Sequence, residues 1–541
     1  MTVPSRRLLR SSAAAMAEIR WLFVVVTFLG LLAAFGMGRL AGNGDVHSIA
    51  AVLTITVAVV ICLTLKSKIW LLIPATYFLT GAPGGLSIPF GLNELTTMGV
   101  FGMFIVFAAL KVPLRKVVYG RLDHLVFLNI AYLGTVYIRN PAGTRAFGSD
   151  LVGGRPYFSV VVGLMAYWVF KHIILDKKAL SLFPRALVGG MFVNSVIGVV
   201  TRYIPGTATV IAPFYSGVNT QSYISENFES GDLGGEEYRL VELGGLGDVI
   251  HTYLVSFFRP LTLITPARIF HFVLFVGSWA GILSSGFRSS IIQQFCYFLM
   301  ASYFYSGMRD VVRAVFLSFA AIVAIVAGQG VLFDLPAGAQ RSLSFLPARW
   351  TSTEAVESAK ASSEWRFILW RRVWESDKYI KNKVFGDGFG FQATDLQIQI
   401  GAMTGGPGYM GGEMAESQMV TGAFHSGPLS TIRVVGIVGL IFYTMLMIMS
   451  ARHSWRLIQR ARGTPFFGFA VYIGMTLIYK PFEFYVVFGS FDGSLPFSIY
   501  QVGLLTLIST ALEEHLVGQV PADVTAKPIA VERSERRLIL R

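Results

Sequence analysis

Three side chains have the types and settings that chemistry on a phosphorylated donor needs. His425 closes a long polar stretch, just before an apolar run that opens at Leu429. Its ordinary pKa of about 6.5 suits a general base once a helix end fixes the ring. Arg288 sits in Ser284-Ser285-Gly286-Phe287-Arg288-Ser289-Ser290, a tight turn between two apolar runs whose small residues leave room for a ligand. Arg366 lies near the start of Ala355–Ile380, where Trp365, Ile368, Leu369, Val373, Trp374 and Ile380 recur at roughly helical spacing among charges. That pattern predicts an amphipathic helix lying at a membrane interface.

Guanidinium groups pair with phosphate oxygens through fixed donors and keep their charge. A diphosphate leaving group gathers charge as its bond breaks, and placed cations stabilise it. A histidine that accepts the proton of an attacking hydroxyl typically contributes about 10²–10⁴ in rate. Together these residues suit transfer of a group from a diphosphate to a hydroxyl. The cluster Gly386-Asp387-Gly388-Phe389-Gly390 adds backbone able to approach phosphate closely, although it does not match the phosphate-loop pattern. No Asp-x-Asp pair is present and no His/Asp/Glu cluster has ligand spacing, so neither a metal nor a cofactor is implied. Each residue also has a plainer alternative. These are a snorkelling arginine at 288, a solvated arginine at 366, an ordinary turn at 386–390 and an interfacial histidine at 425.

The elements that must position these residues are read from hydropathy. The 541-residue chain is 54% hydrophobic and 14% charged, where a soluble protein would carry about 25% charged residues. Apolar runs recur near 21–37, 49–65, 69–81, 95–110, 122–138, 157–175, 186–204, 249–258, 268–286, 289–306, 312–333, 429–450, 464–480 and 495–512. They predict an all-α polytopic membrane protein, a bundle of about 12–14 transmembrane helices. The runs at 69–81 and 249–258 are short and read as half-spans or broken helices. Basic residues gather in alternate connections, such as Lys111, Arg115, Lys116 and Arg121, or Arg452, Arg456, Arg460 and Arg462. The positive-inside bias then puts these loops and both termini in the cytoplasm, and the polar 334–428 segment outside. One connection, Arg139–Arg155, runs against the trend. The net charge of +14 thus belongs to loops, and no nucleic-acid partner is expected. Cys62 and Cys296 lie inside apolar runs, which excludes a Cys-rich metal site.

The expected organisation is a cytoplasmic tail over 1–20, a transmembrane bundle over 21–333 and a large, partly helical extracytoplasmic catalytic loop over 334–428. C-terminal transmembrane helices follow over 429–512, then a cytoplasmic tail over 513–541. The first apolar run reads as a retained span, because Ala13–Ala15 precedes it rather than following it. The outer face of a membrane has no ATP and no nucleotide sugars. A reaction there needs a donor that arrives already activated.

These residues carry a family resemblance. His425-Ser426-Gly427-Pro428-Leu429 followed by Gly436-Ile437-Val438-Gly439-Leu440 resembles the H-N-x-x-L … G-x-x-G-L signature of the O-antigen ligase and O-antigen polymerase superfamily. Arg366-x-x-x-Trp370, running to Gly386-x-Gly388, is similar to that family's R-x-x-x-W … G-x-G stretch, and Ser285-Gly286-Phe287-Arg288 resembles its T-G-S-R turn. The likeness covers roughly residues 268–450. Ser426 replaces the usual Asn, and Arg433 and Val434 stand where an acidic residue is often found. The resemblance implies a GT-C-like fold and a metal-independent glycosyltransferase of the bacterial inner membrane. Such an enzyme moves a glycan from a polyprenyl diphosphate carrier to a glycan or lipid acceptor, among membrane lipids and envelope polysaccharide assembly partners. Arg288 and Arg366 would bind the diphosphate, and His425 would act as base or orient the acceptor. Trp370, Gly386, Asp387 and Gly388 would complete the substrate-binding set. Ligase and polymerase remain alternatives at this point, as does a transporter of the same lipid-linked glycan or a scaffold for envelope assembly.

Overall fold

The computed structural model describes Ala34 and residues 46–519, except 85–88, 144–150, 175–176, 205, 218–239, 266–267, 393–415 and 417–418. The expected span at 21–37 apart from Ala34, the tails over 1–20 and after 519, and Glu413 lie outside the described residues. The chain is mostly helical. Its longer helices before the polar segment are α1 Val46–Leu65, α2 Leu92–Ala109, α3 Arg121–Arg139, α4 Arg155–His172, α5 Lys177–Tyr203, α6 Val241–Phe257, α7 Ile269–Ser284, α8 Arg288–Ser306 and α9 Met308–Gly328. Within the polar segment come α10 Ala337–Leu343 and α11 Thr353–Glu375, and after it α12 Gly427–Ala461, α13 Phe467–Phe482 and α14 Phe491–Gln519.

The apolar runs within the described residues coincide with helices. The run at 69–81 is indeed broken, into a 3-10 turn Lys66–Leu71 and a short helix Leu72–Thr76. The run at 249–258 is only the second half of α6, because Glu242 and Asp248 hide the first half from hydropathy. Among the described residues five helices are long and apolar enough to cross a membrane, namely α2, Leu182–Tyr203 within α5, α9, α12 and Phe491–Leu516 within α14. That is fewer than the apolar runs suggested. Helices such as α3 and α8 carry Asp123, Asn129, Gln293 and Gln294 inside them, which lowers their mean hydropathy. The architecture is that of an all-α membrane protein.

Position in the bundle follows composition. α14 is the inner helix, packed against α4, α12 and α13, with Val502, Leu504, Leu505 and Leu512 fully enclosed. α9 lies at the edge against α8 and presents Phe316, Leu317, Phe319 and Val323 outward. A row of exposed aromatics and aliphatics on one helix is unfavourable in water and suits contact with lipid chains.

Two features tie the polar segment to the bundle. Ser352 caps α11 by accepting from the Ala355 N–H, and Ala355, Ala359, Leu369 and Val373 form its buried face. Phe367 and Ile368 remain 68% and 67% exposed, so α11 is amphipathic as its spacing predicts. Strand β1, Leu151–Val152, pairs antiparallel with β2, Phe391–Gln392, setting Leu151 opposite Gln392 and Val152 opposite Phe391. This joins the connection before α4 to the far part of the polar segment.

Candidate functional site

His425 occupies a strained turn. Its φ is +51°, the left-handed region that β-carbon sterics disfavour, and Ser426 after it is extended. Pro428 then starts α12 at a position where its missing N–H costs nothing. Gly427 lies so close to the π-helical turn Glu483–Val487 that a β-carbon would sit 2.4 Å from the Phe484 carbonyl oxygen. On the preceding side, the Trp370 indole N–H donates to the carbonyl of the fully buried Phe424 at 2.7 Å. Trp370 therefore holds the backbone immediately before His425.

The His425 ring is half-buried, with the Trp365 ring centroid at 5.9 Å and that of Phe488 at 5.3 Å. Burial first, and then the Arg366 cation, hold its pKa below the usual histidine value. Both causes favour the neutral ring, the form that can accept a proton. α11 supplies Trp365, Arg366 and Trp370 to this one corner, so the predicted amphipathic helix does position the predicted residues.

The glycine cluster meets α12. Gly436 breaks that helix with a φ of +68°. The broken backbone needs partners, and the 383–388 turn provides them. Asp387 N–H donates to the Arg433 carbonyl at 2.7 Å and Gly388 N–H to the Val434 carbonyl at 2.9 Å, while Ile437 N–H donates to the Lys383 carbonyl at 2.9 Å. Gly386 also has positive φ, and a β-carbon there would lie 2.4 Å from the Val434 carbonyl oxygen. The Asp387 carboxylate accepts from the Lys381 and Asn382 N–H groups at 2.7 and 3.0 Å. These contacts account for Gly386, Asp387 and Gly388 as a clamp on the α12 kink. Glu416 is likewise engaged, by Lys378 and by the Tyr379 hydroxyl.

Arg288 stands at the start of α8, half-buried, and donates to the Ser344 hydroxyl at 2.9 Å. Burial lowers its pKa, yet the guanidinium stays charged at neutral pH. α10 packs against α7, α8 and α11 and so links the Arg288 turn to the helix that bears Arg366. Sequence reasoning missed Arg341 on α10, which is buried and donates to the Gly286 carbonyl at 2.6 Å, fixing the same turn. It also gave no structural task to Arg433. That side chain is buried and donates to the Val420 and Thr421 carbonyls at 2.6 and 3.2 Å, pinning the approach to His425.

Phe488 also lines a cavity of about 380 Å³. Asp248, Gln293, Gln294, Lys480 and Glu483 contribute polar groups to it, with Lys480 and Glu483 paired at 3.1 Å. Asp248 Oδ1 and Gln501 Oε1 there have no hydrogen-bond partner among the described residues. The signal available in the sequence was polar side chains inside apolar helices, which mark pathways and sites in membrane proteins. Among the described residues no group of three or more His, Cys, Asp or Glu side chains is placed to hold a metal ion. The sequence matches no protein-family model and no curated protein.

Proposed function

We propose that this protein is a glycosyltransferase of the bacterial inner membrane, with a GT-C-like bundle and its polar segment facing outward. It would move a glycan from a polyprenyl diphosphate carrier to an acceptor hydroxyl on a glycan or lipid during surface polysaccharide assembly. The acceptor oxygen attacks the anomeric carbon of the carrier-linked sugar, and its proton passes to a ring nitrogen of His425. The carbon–oxygen bond to the diphosphate breaks, and the electron pair leaves with the diphosphate oxygen. Arg366 and Arg288 stabilise that departing charge. A single displacement of this kind inverts the anomeric centre. Trp370, Arg433 and the 383–388 clamp act by holding His425 in place.

The observation that carries this reading is one arrangement. A half-buried histidine, its pKa held down by burial and by Arg366, packs against Phe488, which lines a cavity bearing Asp248, Gln293, Gln294, Lys480 and Glu483. The test is product formation in liposomes supplied with a polyprenyl diphosphate-linked oligosaccharide and a glycolipid acceptor. His425→Ala and Arg288→Ala should each abolish product while the protein still inserts. Near-normal product from both would refute the assignment.

A second reading is transport of the same lipid-linked glycan. The charged and amide side chains Asp248, Gln293, Gln294, Lys480 and Glu483 lining one cavity favour it, because transport needs polar groups along a path through the bundle.

A further inference from the structure

We propose that the end of the bundle opposite His425 holds a second site, one that binds a phosphate-bearing anion. The inference stands apart from the glycosyl-transfer reading. α12 links the two sites. It begins just after His425 and runs for 35 residues. At 1.5 Å per residue, Arg452 and Arg456 lie roughly 40 Å along the chain from its start, before the kink is allowed for. A bilayer's hydrocarbon core is about 30 Å thick, so the two sites flank it.

A cavity of about 720 Å³ opens at this second end. Four separate segments converge on it. The connection into α3 and the first residue of that helix bring Lys116 and Arg121, α4 brings Lys171, α12 brings Arg452 and Arg456, and α14 brings the hydroxyls of Ser509 and Thr510. Two carboxylates, Asp123 and Glu513, also line the cavity, and each has a cationic partner. Asp123 is buried, pairs with Lys171 at 2.5 Å and accepts from the Tyr167 hydroxyl and the Gly120 N–H at 2.5 and 2.7 Å. Glu513 lies 3.5 Å from Arg460, which is not part of the lining. Among the described residues no ion pair is seen for Lys116, Arg121, Arg452 or Arg456.

The positive-inside bias accounts for basic residues near helix ends, but it does not require them to converge on one concavity. Cations confined together raise the potential and gather counter-ions. Guanidinium forks fit phosphate oxygens in paired geometry, and neighbouring hydroxyls can donate to the remaining oxygens. Basic pockets between transmembrane helices take anionic lipid headgroups by this chemistry. A soluble phosphate or diphosphate offers the same oxygens.

The experiment uses the full chain in neutral detergent, titrated calorimetrically with two probes, short-chain phosphatidic acid and inorganic pyrophosphate. The expected result is saturable binding of at least one probe. Affinity should fall by about tenfold or more in the Arg452→Gln/Arg456→Gln double variant, as for loss of one charge-assisted contact. Arg121→Gln, on a different element, should weaken the same binding, whereas Arg460→Gln should leave it unchanged. Binding of the lipid probe alone identifies a headgroup site, and binding of pyrophosphate identifies a site for a free anion. No saturable binding of either probe, or wild-type affinity in both cavity variants, would overturn the proposal.

Discussion

At the scale of the residue, His425 must be both strained and exposed enough to meet a substrate. Its ring pKa is lowered by burial and by Arg366, so as a base it works above that folded value. The rate should therefore rise with pH through a midpoint below about 6.5 and level off by neutrality. Arg366→Gln removes the smaller cause and should move this acid limb upward, towards but not beyond the ordinary value. A pH–rate profile of the two proteins checks it, and an unmoved limb would separate Arg366 from His425. The linkage has a definite sign. The unfolded chain binds more protons than the native one between the folded and ordinary pKa values, so stability gains as pH rises across that window and is lost as pH falls through it. Trp370→Phe keeps the ring but orphans the buried Phe424 carbonyl. It should cost about 1–3 kcal/mol on thermal unfolding and lower kcat more than it changes KM. His425 was singled out by its type and its place before an apolar run, Arg366 by its place in an amphipathic pattern, and Trp370 through the family resemblance alone. Arg341 and Arg433 were not. Their task is to satisfy distant carbonyls, and nothing in their sequence neighbours announces it.

At the scale of the element, the notable event is the break in α12. The helix is interrupted at Gly436, and the 383–388 turn replaces the missing backbone partners. Gly436→Ala places a β-carbon 2.1 Å from the Val384 carbonyl oxygen in a left-handed conformation. It should destabilise by at least about 2 kcal/mol, from the backbone penalty plus the clash. Gly102→Ala is the matched control, because nothing lies within 4 Å of its added β-carbon in α2. It should be neutral or stabilising by up to about 1 kcal/mol. Denaturation of the two variants side by side reads the difference, and equal stabilities would contradict the clamp. Helix positions could be read from apolar runs because each is a local pattern. The meeting of 383–388 with 433–438, and of β1 with β2, is backbone complementarity between distant segments, which hydropathy does not encode.

At the scale of the whole molecule, α14 forms the inner support and α12 connects two ends of different chemistry. One end has His425, Arg366 and a cavity walled by Phe488 that holds the Lys480–Glu483 pair; the other has a basic cavity. The charge asymmetry between the ends was visible in the loops, while the cavities arise only when helices far apart in sequence pack. The choice between transfer and transport is also made at this scale, because both begin from the same lipid-linked glycan and differ in whether a bond breaks. The decisive measurement is on the purified chain in sealed liposomes loaded with polyprenyl diphosphate-linked oligosaccharide and a glycolipid acceptor. Free polyprenyl diphosphate and new glycosidic product are followed together by mass spectrometry. Transfer predicts that the two appear in equal amounts with the wild type and that neither appears with His425→Ala. Movement of intact donor across the bilayer, with no carrier released and no dependence on His425, would contradict it.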